Sequence, residues 1–418
     1  MAAASDSRRP VLSVEEALER ILATVHTLDS ERVPVLEAAG RVLAEEAIAD
    51  RDIPPLTNSA MDGYAVRAAD LVQAQAPVRL RVIGEVAAGH VSSLSVAPGT
   101  AVRIMTGAPV PDGGDTVVRF EDTRQGDEWV EVLEAPEPGA NVRQAGEDVR
   151  AGQVVLPPGT VLRPQEIGML AAVGHTEAAV VRRPRVGILG TGDEIVSPDQ
   201  TPGPGQIRDA NSYTVAAQVQ AFGGVPLVLG VARDREALVR QGIRDALDRG
   251  ADFLITSGGV SVGDFDLVKQ VLATEGEMHF WSLNMKPGRP LAFGVVGDVP
   301  LLGLPGNPVA AMISTELFAR PALLKMQGFS DWSRPRLTAR LRQPIARKDG
   351  RRHFLRVRLQ RTPTGYEATL TGDQGSGILY SLVQADGLAV IPEETDHLQA
   401  GAEVQVISLG WTGWCPGR

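Results

Sequence analysis

Soft metal ligands are almost absent from this 418-residue chain, which has one cysteine, Cys415, and six scattered histidines. A single cysteine excludes an internal disulfide, in agreement with a reducing compartment such as the cytoplasm. Without paired histidines or further cysteines, a zinc or thiolate site is not expected. Carboxylates remain as the candidate ligands for any metal that the protein holds.

The sequence also lacks the features of membrane and nucleic-acid-binding proteins. No apolar run reaches the roughly 18 residues needed to cross a bilayer, and the first ten residues have no apolar stretch typical of a secretory signal. The formal net charge of −10 argues against a nucleic-acid surface. We therefore expect a cytoplasmic globular protein that binds neither membranes nor nucleic acid.

Lysine is the scarcest charged residue type. Among 41 basic residues, lysine occupies only positions 269, 286, 325 and 348. Because arginine is used nearly everywhere else, each lysine is a position worth locating.

The length of the chain predicts two to four domains. In "LSVEEALERILATVH", Ser13 and Glu16 form a capping box in front of a helical apolar pattern. Residues 54–140 contain short alternating runs such as "VRLRVIGEV" and "DTVVRFE" between Pro/Gly-rich turns, which predicts a β-rich domain. A second helix is predicted at "RPQEIGMLAAVG", where Gly174 would end it.

Residues 183–327 alternate between buried strands and helices. "RVGILG", "VPLVLG", "DFLITS", "PLAFGVV" and "PLLGL" are typical of strands, and helices are expected to begin near 212, 235, 266 and 308. This alternation predicts a doubly wound, mainly parallel α/β sheet. After residue 328 the helices stop, and runs from "RLTARL" to "EVQVISL" indicate a C-terminal β-barrel or sandwich.

Ligands of open α/β sheets bind in loops at the carboxyl ends of strands. Five polar or glycine-rich loops are expected there: "GTGDE" (190–194), "ARDRE" (232–236), "SGGVSVGDFD" (257–266), "MKPGRP" (285–290) and "GLPGNP" (303–308). We expect the first, third and fifth to lead from a strand into a helix, where backbone N–H groups and the helix dipole favour phosphate. Asn307 before Pro308 is equally compatible with ordinary helix capping.

Several nucleotide and hydrolase motifs are missing. The glycines of "GILGTGDE" fall in the wrong order for G-x-G-x-x-G, and neither G-x-x-x-x-G-K-[ST] nor G-x-S-x-G occurs. Glycine N–H groups combined with Asp and Glu instead indicate magnesium-assisted phosphate chemistry. Lys286 and Arg289 would add positive charge beside the anion.

Eight stretches, taken in order, resemble the successive signatures of the molybdopterin molybdenumtransferase family, to which gephyrin's E domain is related. They are "NSAMDGYA", "MTGAPVP", "GEDV", "GTGDEI", "DANSY", "SGGVSVGDFD", "MKPGRP" and "GLPGNPVAA". The resemblance covers roughly residues 11–410. Arg289 and Asp264 stand where lysine and glutamate are common in the family, and both replacements preserve the charge.

The resemblance implies an architecture and an activity. The architecture is a homodimer of four-domain subunits, with a discontinuous, α-containing linker domain (11–53 and 141–182), a β-rich domain (54–140), a central α/β molybdopterin-binding domain (183–327) and a C-terminal β-barrel (328–418). The implied reaction is insertion of molybdenum, from molybdate as substrate, into adenylylated molybdopterin, with Mg²⁺-dependent release of AMP. The molybdopterin adenylyltransferase is a candidate partner.

The resemblance also implies roles for individual residues. The metal-accepting end of the substrate would be oriented by Asp62, Thr106 and Asp148. Phosphoanhydride cleavage would involve Glu194, Asp234 and Asp266, with Glu194 and Asp266 as Mg²⁺ ligands; helix capping is the alternative role for Asp234 and Asp266.

The implied substrate-binding residues lie in four of the five loops. Those around the phosphates and molybdate are Gly190, Thr191, Gly192, Ser257, Gly258, Gly259, Ser261, Lys286, Arg289, Pro305, Gly306 and Asn307. The segment "GDQGSG" (372–377) is expected to be a flexible turn that could add contacts.

Two alternative functions remain. One is the adenylyltransferase that activates molybdopterin, which typically needs only a related α/β domain. The other is a scaffold that binds a peptide, as gephyrin does, although the carboxylates present in every motif argue against a purely structural role.

Overall fold

The computed structural model describes residues 11–72, 77–258 and 276–410. They form two compact units. One contains the chain up to Glu31 and from Val181 onward, and the other is Arg32–Val180.

The first unit begins with strand β1 (Val11–Leu12) and helix α1 (Val14–Thr24). The predicted capping box is confirmed: Ser13 Oγ accepts from the Glu16 N–H at 3.1 Å, and the Ser13 N–H donates to Glu16 Oε2 at 2.8 Å. Two orphan N–H groups of the helix start are thereby satisfied.

Helix α1 buries its apolar face in the core of the α/β unit. Ala17 and Ile21 are fully buried there, in one cluster with Ile188 of the central sheet. Residues 11–31 thus pack in the compact unit that contains the α/β sheet, while the assignment of 11–53 to the discontinuous domain stays a prediction.

The second unit contains the predicted β-rich region. Its elements are β2 (Gly63–Val66), α2 (Ala68–Val72), β3 (Val78–Val86), β4 (Thr100–Ile104), β5 (Thr116–Arg119), β6 (Thr123–Gln125), β7 (Trp129–Val132) and α3 (Pro164–Ala172). The strands form one sheet in the order β5-β2-β4-β3-β7-β6. Two short antiparallel pairs accompany it, Asn58–Ser59 with Val142–Arg143 and Ala47–Ile48 with Val154–Leu156. Helix α3 stops before Gly174, whose φ of +88° suits glycine.

The central sheet of the first unit has seven strands. Its elements are β8 (Arg185–Thr191), α4 (Asn211–Ala221), β9 (Val225–Ala232), α5 (Glu236–Asp248), β10 (Phe253–Ser257), β11 (Gly276–Leu283), β12 (Pro290–Val296), β13 (Val299–Leu304), α6 (Pro308–Ser314) and α7 (Arg320–Met326). The order is β1-β11-β12-β13-β10-β8-β9, and β12 runs antiparallel to both of its neighbours.

The sheet is doubly wound, as predicted. Ile188 packs on the face covered by α1 and α4, whereas its neighbour Leu189 packs on the opposite face with α5. This alternation follows from the two-residue period of a strand. All five predicted strands are present, but sequence analysis missed β1 and β11.

The C-terminal strands close into a five-stranded barrel, as expected. They are β14 (Arg336–Leu341), β15 (Arg352–Thr362), β16 (Gly365–Leu370), β17 (Gly387–Ile391) and β18 (Glu403–Ser408), with the short helix α8 (Tyr380–Val383) between β16 and β17. The pairs β15–β16, β16–β14, β14–β18, β18–β17 and β17–β15 complete the ring. Closure removes the exposed edges of a small sheet.

Within the described part of the chain, none of the helices combines the length and apolar character needed to span a bilayer.

A buried carboxylate stabilises the connection between the α/β sheet and the barrel. Glu316, only 3% exposed, lies in the π-helical turn Thr315–Ala319 between α6 and α7. It accepts from Arg334 at 2.6 and 3.1 Å, and Arg320 Nε lies 3.7 Å away. Burial lowers the pKa of Arg320 to about 10, so this arginine stays charged at neutral pH.

We predict that Glu316→Ala lowers the free energy of unfolding of this unit by about 3–5 kcal/mol, because two largely buried arginines lose their counter-ion. Urea denaturation measures the change. The matched control is Glu403→Ala, which breaks the exposed pair between Glu403 and Arg340 and should have little effect. Equal destabilisation by both variants would contradict the assigned role of Glu316.

Candidate functional site

The loops that carry the predicted residues lie on one edge of the seven-stranded sheet. Strands β8, β9, β10 and β13 are joined by parallel pairs, so their carboxyl ends share that edge. Strand β11 has the same direction, because two antiparallel pairs connect it to β13 through β12. Along that edge therefore lie residues 190–194, 232–236, 257–258, 285–290 and 303–308, as sequence analysis predicted.

Gly258 is the most constrained glycine of the site. Its φ is +96°, and a Cβ on it would lie 2.6 Å from Thr191 O and 2.7 Å from Thr191 Oγ1. Its N–H donates to Leu304 O at 3.2 Å. Only glycine fits this close approach of three loops.

Asn211 joins two of these loops through one side-chain nitrogen. Its Nδ2 donates to Ser257 Oγ at 2.7 Å and to Gly306 O at 2.8 Å. Because Asn211 begins α4, the helix start fixes the spacing between the loops after β10 and β13. Asn211 belongs to the family signature "DANSY", but the sequence alone predicts no role for it.

The loop after β8 does not lead directly into a helix, which corrects our expectation for "GTGDE". A short strand pair, Ile195–Val196 with Ile207–Arg208, intervenes before α4. Glu194 is exposed in the turn after Gly192, and a Cβ on Gly192 would lie 2.7 Å from the Glu194 carboxylate. A larger residue at 192 would displace this carboxylate.

Asp234 lies beside other carboxylates rather than capping α5. Arg235 occupies the N-cap position, and the Asp234 N–H donates to Asp193 Oδ1 at 3.2 Å. Local desolvation, followed by the negative charges of Asp193 and Glu194, raises the pKa of Asp234. The two loops therefore bring acidic groups of like charge together.

The predicted metal ligands are only partly described. Among residues 11–72, 77–258 and 276–410, no three or more His, Cys, Asp or Glu side chains are grouped to hold a metal ion. Asp266, the expected partner of Glu194, lies outside the described residues, as do Gly259 and Ser261. Their roles stay predictions.

Lys286 and Arg289 line a cavity of about 420 Å³ in the first unit. Both are exposed, and Arg289 Nε donates to Ser282 Oγ at 2.9 Å. Pro305 and Asn307 form another part of the wall, and residues 374–376 of the barrel also line it. Lys286 and Arg289 thus line one concave space, together with a third cationic residue, Arg351.

The segment 372–377, expected to be a flexible turn, is held by specific hydrogen bonds. Asn307 stands at the N-cap position of α6 without a side-chain capping bond; its Nδ2 donates instead to Ser376 Oγ at 3.0 Å. The fully buried Arg356 donates to the carbonyl oxygens of residues 373, 374 and 375 at 3.0–3.2 Å. Hydrogen bonds therefore order this segment of the barrel, which forms part of the cavity wall.

In the second unit, Asp62 and Thr106 are in direct contact. The Thr106 N–H and Oγ1 donate to Asp62 Oδ1 at 2.7 and 2.8 Å. These two bonds, the backbone one first, lower the pKa of Asp62 below its usual value. An exposed carboxylate is thus held in one orientation and kept charged.

Asp148 lies on a separate exposed segment of the same unit. Its N–H donates to Ile53 O at 3.0 Å, beside the bridge that joins Ile53 and Val149. The backbone therefore fixes its position, while its carboxylate faces solvent.

Family models match the chain in three consecutive parts. The MoeA N-terminal region (domain I and II) matches residues 12–174, a probable molybdopterin binding domain matches 187–325, and the MoeA C-terminal region (domain IV) matches 338–409. A molybdopterin molybdenumtransferase from Nostoc sp. is 39% identical over 96% of this chain and 94% of its own. The chain belongs to the molybdopterin molybdenumtransferase family.

Other relatives agree with this membership. Molybdopterin molybdenumtransferase 2 of Mycobacterium tuberculosis is 38% identical over 95% of this chain and 99% of its own. A crystal structure of a molybdopterin biosynthesis MoeA protein from Pyrococcus horikoshii is 33% identical, has a TM-score of 0.83, and the match covers 97% of this chain and 100% of that one. The family matches on both sides of the binding domain weigh against the adenylyltransferase alternative.

Three contributors to the site were missed or undervalued by sequence analysis: Asn211, Ser376 and Arg356. The signal for Asn211 was its place in a family signature. The hydrogen-bond partners of Ser376 and Arg356 depend on how the barrel folds, and no local sequence pattern predicts them.

We predict that Thr106→Val raises the pKa of Asp62 toward the ordinary aspartate value. The variant removes the Oγ1 donor to the charged form and keeps the backbone donor, so the pKa should stay somewhat below that value. Carboxyl-carbon NMR titration measures it. Thr106→Ser, which keeps the hydroxyl, should titrate as the wild type does; identical pKa values in all three proteins would refute the coupling.

Proposed function

We propose that this protein inserts molybdenum, delivered as molybdate, into adenylylated molybdopterin and releases AMP with Mg²⁺, forming the molybdenum cofactor. The observation that carries the proposal is the order of groups along one sheet edge. Cations follow β11, glycine-rich loops follow β13 and β10, and carboxylates follow β8 and β9. An extended ligand with an oxyanion at one end and phosphates along its length matches that order.

The phosphates would lie against the loops after β10 and β13. Ser257 and Gly258 would offer their polar groups, with Gly259 and Ser261 as predicted further contacts. Asn211 would not contact the ligand itself; its hydrogen bonds would hold the two loops at a fixed spacing. Backbone donors of this kind bind an anion without contributing positive charge.

A hard cation fits the acidic groups after β8 and β9. Desolvation and then the negative charges of Asp193 and Glu194 raise the pKa of Asp234, and a divalent cation would offset those charges. Mg²⁺ prefers oxygen ligands of this type, and Glu194 with Asp266 would hold it; bound there, it would stabilise negative charge on the leaving phosphate. Glu194 is exposed, so a cation from solvent can reach its carboxylate.

Molybdate would meet Lys286 and Arg289 in the 420 Å³ cavity. Protonated amine and guanidinium groups bind an oxyanion through charge-assisted hydrogen bonds. The sulfur atoms of the substrate would then hold the molybdenum, which accounts for the scarcity of soft ligands in the chain.

The remaining parts of the proposal rest on the family resemblance. Asp62, Thr106 and Asp148 would orient the metal-accepting end of the substrate, in a homodimer whose site is composed from both subunits. The protein would act in the cytoplasm, with the molybdopterin adenylyltransferase as a partner that supplies its substrate.

We predict that Gly258→Ala weakens binding of adenylylated molybdopterin by at least about tenfold, or about 1.4 kcal/mol. The added Cβ would displace the loop from Thr191, and the backbone at φ +96° is strained for alanine. Calorimetric titration measures the affinity. The control Gly297→Ala also has positive φ but no atom within 4 Å of the new Cβ, so its affinity should equal that of the wild type. A normal affinity in Gly258→Ala would remove this loop from the proposed site.

The activity is tested by incubating the protein with adenylylated molybdopterin, molybdate and Mg²⁺ and measuring AMP. We predict that Glu194→Gln reduces AMP release by at least about 100-fold, or about 2.7 kcal/mol, through loss of a charged ligand. Asp199→Asn, an exposed change on the same connection, should release AMP at the normal rate.

Two results would contradict the proposal. Absence of AMP release by the wild type would favour the scaffold alternative. Normal release by Glu194→Gln would show that Glu194 is not part of the reaction site.

A further inference from the structure

Lys286 forms a boundary between two cavities. Besides the 420 Å³ cavity, it lines one of about 780 Å³ whose walls come mainly from the barrel. Its side chain is 51% exposed. The direction of its long, flexible side chain therefore decides which of the two cavities contains the ammonium group.

Asp349 contacts the head of this lysine. Its Oδ2 lies 3.6 Å from Lys286 Nζ. Asp349 belongs to the connection between β14 and β15 and lines the larger cavity. No role had been predicted for it from the sequence.

Asp349 is itself held by two neighbours. Arg351 Nη2 lies 2.7 Å from Oδ2, and His353 Nε2 lies 2.8 Å from Oδ1. Partial burial alone would raise the pKa of Asp349, but these hydrogen bonds hold it well below its usual range, whereas burial lowers the pKa of His353. The carboxylate stays charged and has little freedom to rotate.

The backbone of the lysine is fixed against the same strand. Met285 and Lys286 pair in parallel with Arg352 and His353 at the start of β15. The backbone of Lys286 and its ammonium group thus both contact one segment of the barrel, residues 349–353. A lysine that only carried surface charge would need neither contact.

We propose that Asp349 is a positioning residue that holds the ammonium group of Lys286 in place for the incoming oxyanion. This inference rests on the proposed function, in which Lys286 binds molybdate. The inference and simple electrostatics predict opposite changes in anion binding when Asp349 loses its charge. Removal of a negative charge should strengthen anion binding, whereas loss of a positioning contact should weaken it.

We predict that Asp349→Asn raises the KM for molybdate about threefold to fivefold, the effect of one exposed ion pair, with kcat within about twofold of the wild type. In the Lys286→Ala background the same substitution should have no further effect. Asp396→Asn is the matched control, since it removes an exposed carboxylate of the same barrel outside this contact group. An unchanged or lower KM in Asp349→Asn, or an equal rise in the Lys286→Ala background, would overturn the inference.

Lysine acetylation followed by peptide mass spectrometry separates this inference from the proposed function, because the chain has only four lysines. Asp349→Asn should speed acetylation of Lys286 relative to Lys325, and an unchanged ratio would contradict the contact. Molybdate should slow acetylation of Lys286 in the wild type. Failure of that protection would refute the binding role of Lys286 and leave the Asp349 contact as a separate result.

Discussion

The parallel pairing of β13, β10, β8 and β9 is the constraint on which the candidate site depends. Each parallel strand delivers its following loop to the same edge, so residues far apart in sequence meet without any special local motif. One consequence of this arrangement is the close approach of three loops at Gly258. Asn211 then fixes the loops with two hydrogen bonds from a single nitrogen.

The order of the strands also distributes charge along that edge. Lys286 follows β11, and Glu194 follows β8, four strand positions away. With a strand spacing of about 4.8 Å, the two strands themselves lie roughly 19 Å apart in the sheet. The cations after β11 are thus on different strands from the carboxylates after β8 and β9, and the glycine loops after β13 and β10 lie between them.

The barrel contributes hydrogen bonds that order one wall of the site. Arg356 is fully buried, and its guanidinium bonds the carbonyl oxygens of residues 373–375. Burial lowers the pKa of Arg356 to about 10, so it remains a cation at neutral pH. A guanidinium used in this way orders the segment that carries Ser376, and Ser376 in turn accepts from Asn307.

Much of the architecture was determined by the sequence itself. The capping box of α1 and the five central strands follow from local patterns, namely a two-residue strand period, helical spacing and turn residues. The same patterns predicted C-terminal strands, and the family resemblance implied that they form a barrel. The meeting of the loops at one edge was also predictable, because it follows from parallel strands alone. Strand β11 and the short β1 escaped detection, since β1 has only two residues and therefore no period.

Only the tertiary structure decided which side chains touch. Asn211 and Gly306 are 95 residues apart, Asn307 and Ser376 are 69 apart, and Lys286 meets Asp349 across the boundary between sheet and barrel. Local periodicity carries no information about such pairs, because they depend on how segments distant in sequence pack together. The sequence determined the chemical groups and the edge on which they gather; packing decided their partners, their orientation and the segment of the barrel that holds them.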